Sequence, residues 1–368
     1  MSSKKDKFSL IDLKYMKLAI NLARSRQGLT GKNPSVGCVI TKKNQIISIG
    51  QTGINGRPHA ESNAIKNCSE NLKGAKMYIS LEPCNHYGKT PPCTDLIIKS
   101  GIAEVFYSME DIDKKVKGKS FLILKKKNIK VHKGVLGKEG KDLYRSYYIN
   151  RVKKLPYITG KIAISKNYLI YSEGTKRITN STTDKLTHYL RYKNDAILIS
   201  SKTLNIDNPK LNCRINGLEK FSPKRIILDR NLKSNLKSFI FKTIKKDNTI
   251  IFFNTSNKIK EKLLKKKGVI MIKFSLNRNK QFDLKKIFKK LYVLNIRNLL
   301  IEGGDKITKN LLKTNLVNQF YLFKSDKILS VNKKHQFFTS FDILQKKYDK
   351  MPKIASKINN DRIIIYRK

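Results

Sequence analysis

Along the first 150 residues, hydrophobic and polar positions follow two different periods. In "LIDLKYMKLAINLARSRQG" (10–28) apolar residues recur at helical spacing and the run stops at Gly28, which predicts a helix. "SVGCVITK" (35–42) and "QIISIG" (45–50) are short, β-rich runs joined by a few polar residues and predict two strands. "HAESNAIKNC" then reads as helix, "KMYISL" as strand, "TDLIIKSG" as a helix ending at Gly101 and "EVFYSM" as strand. "KSFLILKKKN" is a basic helix and "KVHKGV" a short strand. "GKEGKDLYRSYYINRVKKLP" (137–156) predicts a helix running into a connection that ends at Pro156. A domain boundary is expected near there, dividing the chain into 1–150 and 151–368.

The second half restarts with the strand "YITGKIAIS". Further strands follow in "DAILIS", "KRIILD", "TIIFFN", "VIMIK", "NLLIE" and "NQFYLF", with helical segments between several of them. Strands alternating with helices argue for an α/β sheet. The Lys/Asn-rich stretches 231–248 and 330–360 read as surface loops and basic helix faces. No internal repeat is visible.

Composition sharpens this only in part. A chain of 368 residues suggests about two domains, and 39% hydrophobic residues are enough to fill their cores. The start lacks the apolar stretch of a signal peptide, and no apolar run approaches the roughly 20 residues of a membrane span. A soluble, cytoplasmic protein is therefore expected. The net charge of +52 invites a nucleic-acid reading. However, the lysines are spread along the whole chain, Asn and Ile are abundant too, and Trp is absent, which is the pattern of a global residue bias. A nucleic-acid footprint would be a localised basic stripe. The charge should still draw in phosphorylated small molecules. Five cysteines in a cytosolic chain suggest free thiols or a metal site, not a disulfide framework.

Three of the candidate metal ligands lie in two short stretches, "PHAES" (58–62) and "SLEPCNHYGKTPPC" (80–93). Zinc takes thiolate and imidazole in tetrahedral geometry, and a catalytic site keeps three protein ligands and one open position. His59, Cys84 and Cys93 supply that set. Glu61, two residues beyond His59 at the start of a helix, can serve as the general acid/base without ligating the metal. Cys93 opens the next helix, whose dipole should favour its thiolate. H-x-E followed by paired cysteines is the arrangement of zinc nucleobase deaminases. Cys38, Cys68 and Cys213 lack such company and read as core or surface residues.

The spacer between the two cysteines narrows the class. "NPSVGCVI", "PHAES" and "SLEPCNHYGKTPPCTD" resemble the deaminase half of the bifunctional riboflavin-biosynthesis deaminase/reductases, with Asn85 where that family usually has Ser. The resemblance implies deamination of a diaminopyrimidinone ribosyl phosphate, with Asn33 on the pyrimidine and His86 and Lys89 facing the substrate and its phosphate. It also implies a cytidine-deaminase-like α/β/α domain followed by a dihydrofolate-reductase-like α/β domain, and a tendency to self-associate.

In the second half, no G-x-G-x-x-G follows the first strand, so a Rossmann fingerprint is missing. "NLLIEGGDKITKNLL" offers an apolar strand, Gly303-Gly304 and a helix, a common turn that is also compatible with a phosphate. "DAILISSKTLNIDNPKLNCR" resembles the reductase half of the same family. That resemblance implies NADPH, with Ala163, Arg177, Thr203, Asp207 and Gly304 on the cofactor side. It sets Thr175, Arg191, Leu211, Arg214 and Glu302 on the substrate side, where an arginine fork can clamp phosphate. NADPH would reduce the ribosyl side chain to ribityl. Two departures bear on the reductase: Asn167-Tyr168 replace the family's Asp-Gly turn, and Arg177 replaces an aromatic residue.

Two other readings compete. A nucleic-acid-acting, tRNA-type zinc deaminase with a degenerate C-terminal domain would use the same metal set and the charge, but not the long cysteine spacer. A purely structural zinc protein would need a fourth protein ligand, and these motifs contain none.

Overall fold

The computed structural model describes residues 8–88, 90–175, 177–351 and 356–368. The chain divides into two compact units, Met1–Lys154 and Leu155–Lys368.

The first unit begins with α1 (Leu10–Arg26), opened by a capping box in which Ser9 and Asp12 satisfy each other's backbone N–H. The hairpin β1 (Gly37–Lys42) and β2 (Gln45–Gln51) follows, then α2 (Ala60–Lys66), β3 (Lys76–Ile79), α3 (Cys93–Lys99) and β4 (Glu104–Tyr107). The unit closes with α4 (Lys119–Lys126), β5 (Lys130–Lys133), α5 (Gly137–Leu143) and α6 (Arg145–Tyr148). The sheet order is β2-β1-β3-β4-β5, antiparallel at β1 and parallel from β3 onward.

Glycines decide how tightly the helices lie on this sheet. A Cβ at Gly37 would stand 2.0 Å from the Ala19 carbonyl oxygen of α1. One at Gly50 would stand 2.1 Å from the Ala60 carbonyl oxygen and 2.5 Å from the Ala64 nitrogen of α2. Gly50 pairs with Cys38 and Gly37 with Gln51, so adjacent positions of the hairpin meet α1 on one face and α2 on the other. This gives an α/β/α sandwich.

The expected helix over 137–156 is not continuous. It breaks at Tyr144 (φ −93°, ψ 13°), between α5 and α6. The buried Tyr144 hydroxyl lies 2.6 Å from Ser80 Oγ and donates to the Ser35 carbonyl at 3.1 Å. Tertiary hydrogen bonds outweigh local helix propensity here.

The second unit starts with β6 (Tyr157–Ile164), β7 (Leu169–Ser172), α7 (Ser181–Tyr192), β8 (Ala196–Ser200), α8 (Ser201–Asp207) and β9 (Lys224–Leu228). It continues through α9 (Phe239–Lys242), β10 (Thr249–Phe253), α10 (Lys258–Lys266), β11 (Ile270–Lys273), α11 (Leu284–Val293), β12 (Asn298–Ile301), α12 (Asp305–Lys313) and β13 (Gln319–Lys324). The last elements are β14 (His335–Phe337), α13 (Phe341–Lys347), β15 (Asp349–Lys350), β16 (Ser356–Ile358) and β17 (Asp361–Arg367). The main sheet runs β11-β10-β9-β8-β12-β6-β13-β17-β15, parallel from β11 to β13. β12 returns between β8 and β6, which creates a topological switch point, and α/β ligands bind beyond the carboxyl ends of strands at such points.

Two expectations need correction. The stretch 330–360 is not only surface: Phe338, Leu344 and Tyr348 are buried in a core cluster. Just beyond it, β17, which the sequence reading did not identify, pairs along β13 and buries Ile363, Ile365 and Tyr366. Likewise 231–248 buries Leu232, Ile240 and Phe241. In both regions lysines on the outer face mask a sparse apolar face.

The turn at Asn167-Tyr168 stays tight. Tyr168 takes φ +66°, and its N–H donates to the Ser165 carbonyl at 3.1 Å. The Asn167 amide donates to the Leu329 carbonyl at 2.8 Å and accepts from the Leu329 N–H at 3.1 Å.

Substituting Gly50→Ala should cost about 1–3 kcal/mol in urea unfolding, because the new methyl group meets helix backbone that has no room to yield. An unchanged unfolding midpoint would show that α2 can move away freely.

Candidate active sites

In the first unit, the start of α2 and the start of α3 converge. His59 is the N-cap residue of α2 in extended conformation, and its carbonyl accepts from Asn63 N–H at 3.0 Å. Pro92 caps α3, and Cys93 is its first residue. His59 Nδ1 lies 3.3 Å from Cys93 Sγ and 3.5 Å from Cys84 Sγ. The ligand atoms of these three residues fall within 4.8 Å of one another, and among the described residues no other group of three or more His, Cys, Asp and Glu side chains has that arrangement. One imidazole and two thiols at this spacing fit zinc.

Of the two thiols, Cys84 is the more easily ionised. It is held down to about 4, chiefly by the hydrogen bond from the Cys93 thiol and also by His59 and the Cys93 backbone N–H. That N–H belongs to the first residue of α3 and points at Cys84 Sγ at 3.3 Å, so the helix start stabilises the neighbouring thiolate. Cys93 is pushed up, first because its thiol donates to Cys84 and then by burial. His59 is raised by its hydrogen bond with Cys84.

Glu61 is 3% exposed, on the first turn of α2. Burial pushes its carboxyl up to about 7, with His59 opposing that rise. It also meets the Cys93 thiol. A carboxyl of this kind can hold or release a proton near neutral pH beside a metal site.

The other expected residues surround this centre less uniformly. The Asn33 amide donates to the Gly56 carbonyl at 2.9 Å. His86 is exposed on the spacer loop, and Lys89 lies outside the described residues. Sequence reasoning missed Arg57, whose guanidinium donates to Thr90 Oγ1 and so ties the loop to the strand side of His59. The signal was its place in "RPHAE", next to a candidate ligand. It also passed over Glu82, buried beside Cys84, whose carboxylate accepts from the N–H groups of Asp111, Gly118 and Ser120 at 3.1, 3.0 and 3.3 Å. That bonding fixes the backbone leading into the cysteine loop.

In the second unit, a cavity of about 1000 Å³ opens beyond the carboxyl ends of β6, β8, β9 and β12. Ala163, Thr203, Asp207, Glu302 and Gly304, singled out in the sequence, line it. Thr203 is held by the α8 cap, its N–H donating to Ser200 Oγ at 3.2 Å. Burial raises the Asp207 carboxyl. Cations lining the cavity are Lys161, Lys202, Arg230, Lys306, Lys309 and Lys313, a chemistry suited to a ligand with several phosphates. With its volume and switch-point position, the cavity fits a dinucleotide.

The remaining residues divide differently from expectation. Arg191 is not a solvated charge, but neither is its fork free to clamp phosphate. Nε and Nη2 donate to Glu302 at 2.9 and 2.8 Å, with side-chain exposures of only 10% and 14% for the two partners. Burying Glu302 demands a counter-charge, and Arg191 supplies it, holding that carboxyl below its ordinary range despite burial. Arg177, expected beside the cofactor, is outside the cavity lining. It is exposed and pairs with Asp184 at 3.6 Å. Its charge and that of Arg191 help depress Arg214, after burial. Arg214 is itself exposed, donating to Asn212 Oδ1 at 2.9 Å. The Leu211 side chain is buried in the core, in a residue with φ +52°, so only its backbone is offered to a ligand. The Thr175 N–H donates to the Ser172 carbonyl at 3.1 Å, outside the cavity lining. Lys161, which sequence reasoning missed, lies over the Phe323 ring at 4.8 Å, and burial lowers its pKa. A lysine inside the apolar run "YITGKIAI" was its signal.

Known proteins match both units. The zinc-binding region of cytidine and deoxycytidylate deaminases matches residues 10–109, and the RibD C-terminal domain matches residues 157–351. The riboflavin biosynthesis protein RibD of Aquifex aeolicus is 37% identical over 87% of this chain and 88% of its own length. Among solved structures, Acinetobacter baumannii RibD superposes with a TM-score of 0.82 at 26% identity, covering 97% of this chain and 98% of that one. The diaminohydroxyphosphoribosylaminopyrimidine deaminase/5-amino-6-(5-phosphoribosylamino)uracil reductase of Thermotoga maritima gives 0.81 at 29% identity, over 97% and 98%.

Substituting Cys84→Ser should remove most bound zinc, since the most acidic of the three ligands is lost. Metal content by mass spectrometry checks this; a full zinc complement would mean that Cys84 is not a ligand.

Proposed function

The chain belongs to the RibD family, the bifunctional deaminase/reductases of riboflavin biosynthesis, and we propose that its two steps are divided between its two units and carried by the residues that follow. The observation that carries the reading is the His59–Cys84–Cys93 triad with Glu61 buried against it, in a chain whose second unit holds a cation-lined cavity at a switch point.

The substrate is a diaminopyrimidinone ribosyl phosphate. Zinc, held by His59, Cys84 and Cys93, supplies the Lewis acid that makes water a nucleophile near neutral pH. Glu61 takes a proton from the attacking water and passes it to the ring nitrogen, then takes the proton of the new hydroxyl and passes it to the amino group, which leaves as ammonia. Its carboxyl, held near 7 by burial, suits both transfers. Asn33 orients the pyrimidine. His86 and Lys89 are the residues for the substrate and its phosphate that the family resemblance implies, and Arg57 steadies the loop that carries His86.

NADPH supplies the hydride that converts the ribosyl side chain to ribityl. The second unit positions the two reactants. Thr203, Asp207, Ala163 and Gly304 hold the cofactor, while Glu302, fixed by Arg191, and the exposed Arg214 meet the substrate. The pairing of Arg177 with Asp184, and its charge effect on Arg214, support moving it from the cofactor side to the neighbourhood of the substrate-side arginines. Similarity to RibD over both units gives the nucleic-acid reading no support, and the three-ligand metal group favours catalysis over a structural zinc. Among the described residues no helix is long and apolar enough to cross a membrane. Self-association is carried over from the family resemblance alone, and cytoplasmic location from the sequence expectation alone.

Crossed variants test the division. Glu61→Gln should keep zinc and lose deamination by about 10²-fold or more, while still reducing the deaminated intermediate. Arg214→Ala should raise KM for the phosphorylated intermediate by about tenfold and leave ammonia release intact. Wild-type deamination by the first variant, or unchanged reduction kinetics in the second, would remove the corresponding assignment.

A further inference from the structure

Two segments that the deaminase reading uses leave the first sheet side by side. Asn33 lies shortly before β1, and Cys84 shortly after β3. The two strands are paired up to Cys38 and Ile79. One further rung follows, in which the Ser80 N–H donates to the Gly37 carbonyl at 3.0 Å. The return bond of that rung is made by a side chain: the Gly37 N–H donates to Ser80 Oγ, also at 3.0 Å. From there one segment leads back to Asn33 and the other on to Cys84.

Tyr144, at the break between α5 and α6, closes this end of the pair. Its hydroxyl lies 2.6 Å from Ser80 Oγ and 3.1 Å from the Ser35 carbonyl oxygen. A carbonyl only accepts, so the Tyr144 proton goes to Ser35, and the Ser80 hydroxyl donates to the Tyr144 oxygen. The result is one continuous relay, from the Gly37 N–H to Ser80, from Ser80 to Tyr144, and from Tyr144 to the Ser35 carbonyl. Ser80, Tyr144 and Ser35 are 0%, 2% and 7% exposed, so solvent does not compete for these bonds.

The relay has a firm base. The carbonyl of Leu143, next to Tyr144, accepts from Gln27 Nε2 at 2.8 Å. On α6, the Tyr147 hydroxyl donates to Asp111 Oδ1 at 3.2 Å, and the Asp111 N–H in turn donates to Glu82. The helical segment therefore grips the stretch leading to Cys84 twice, at Ser80 through Tyr144 and at Glu82 through Tyr147 and Asp111.

We propose that Tyr144 is a positioning residue of the deaminase, fixing through Ser35 and Ser80 the spacing between Asn33 and Cys84, and so between the pyrimidine and the metal. This rests on the deaminase reading above. The metal ligands are held separately by the starts of α2 and α3. Loss of the relay therefore misplaces the pyrimidine ring without releasing zinc, and a small misplacement of reacting atoms costs rate.

The test is steady-state deamination by the full-length zinc protein, expressed per bound zinc. Tyr144→Phe keeps the ring and removes only the relay oxygen. Its kcat should fall about tenfold or more, with KM within about threefold of wild type. Zinc content and NADPH-dependent reduction of the deaminated intermediate should be unchanged. Ser80→Ala should behave alike, and the double variant should be no slower than the slower single one, because the hydroxyls act as one chain. Wild-type kcat per zinc in Tyr144→Phe, even in a protein that unfolds at lower temperature, would make the role purely structural and overturn the proposal. A raised KM at unchanged kcat, or losses that multiply in the double variant, would overturn it too. If Tyr144→Phe does not fold, the kcat of Ser80→Ala decides in the same way. Wild-type protein that binds zinc and releases no ammonia would instead remove the deaminase reading itself.

Discussion

The first active site depends on how closely α2 lies against β2. Gly50 leaves no side chain between them, so the helix backbone sits on the strand. That contact buries Glu61 while leaving His59, one step before the helix, at its exposed edge. Without it the carboxyl would be solvated and would ionise as an ordinary glutamate. With it, burial raises the group into the range where proton transfer at neutral pH is efficient. The sulfur ligands depend on this placement too, because α3 must bring Cys93 to the same point and its first N–H to Cys84.

The second unit answers a similar electrostatic demand differently. Glu302 is placed at the mouth of the switch point, where burial pushes its carboxyl up, and Arg191 from α7 brings it back below its ordinary range through a two-pronged bond. Removing one member of such a pair typically costs about 3–5 kcal/mol, so its value here lies in fixing a charge in place. The lysines around the cavity are a different resource. They are part of a chain-wide excess, with 79 Lys+Arg against 27 Asp+Glu, that raises the local potential without specifying a geometry. The arginines, being few and forked, carry the geometry.

The sequence made the metal site legible because its ligands fall in two short segments with stiff, proline-bracketed backbones. The main strands were legible because they are continuous apolar runs between helices. β17 was not, since its flanking Lys/Asn-rich stretch hides a strand whose burial only the pairing with β13 reveals. The break at Tyr144 was equally hidden, because its cause is a hydroxyl bonding to Ser80 and Ser35, far away in sequence. The second unit shows the same contrast. Thr203, Asp207 and Gly304 were singled out by motif and line its cavity, whereas the pairings of Arg177 with Asp184 and of Arg191 with Glu302 are tertiary facts.

The central claim is that one chain carries out two consecutive reactions in two units. A mass-resolved assay of the purified zinc protein on the diaminopyrimidinone ribosyl phosphate, with and without NADPH, tests it most directly. The account predicts ammonia release in both cases and a further two-electron reduction of the product only when NADPH is present. Ammonia release with no reduction would contradict the second half of the account, and no reaction at all would contradict the whole.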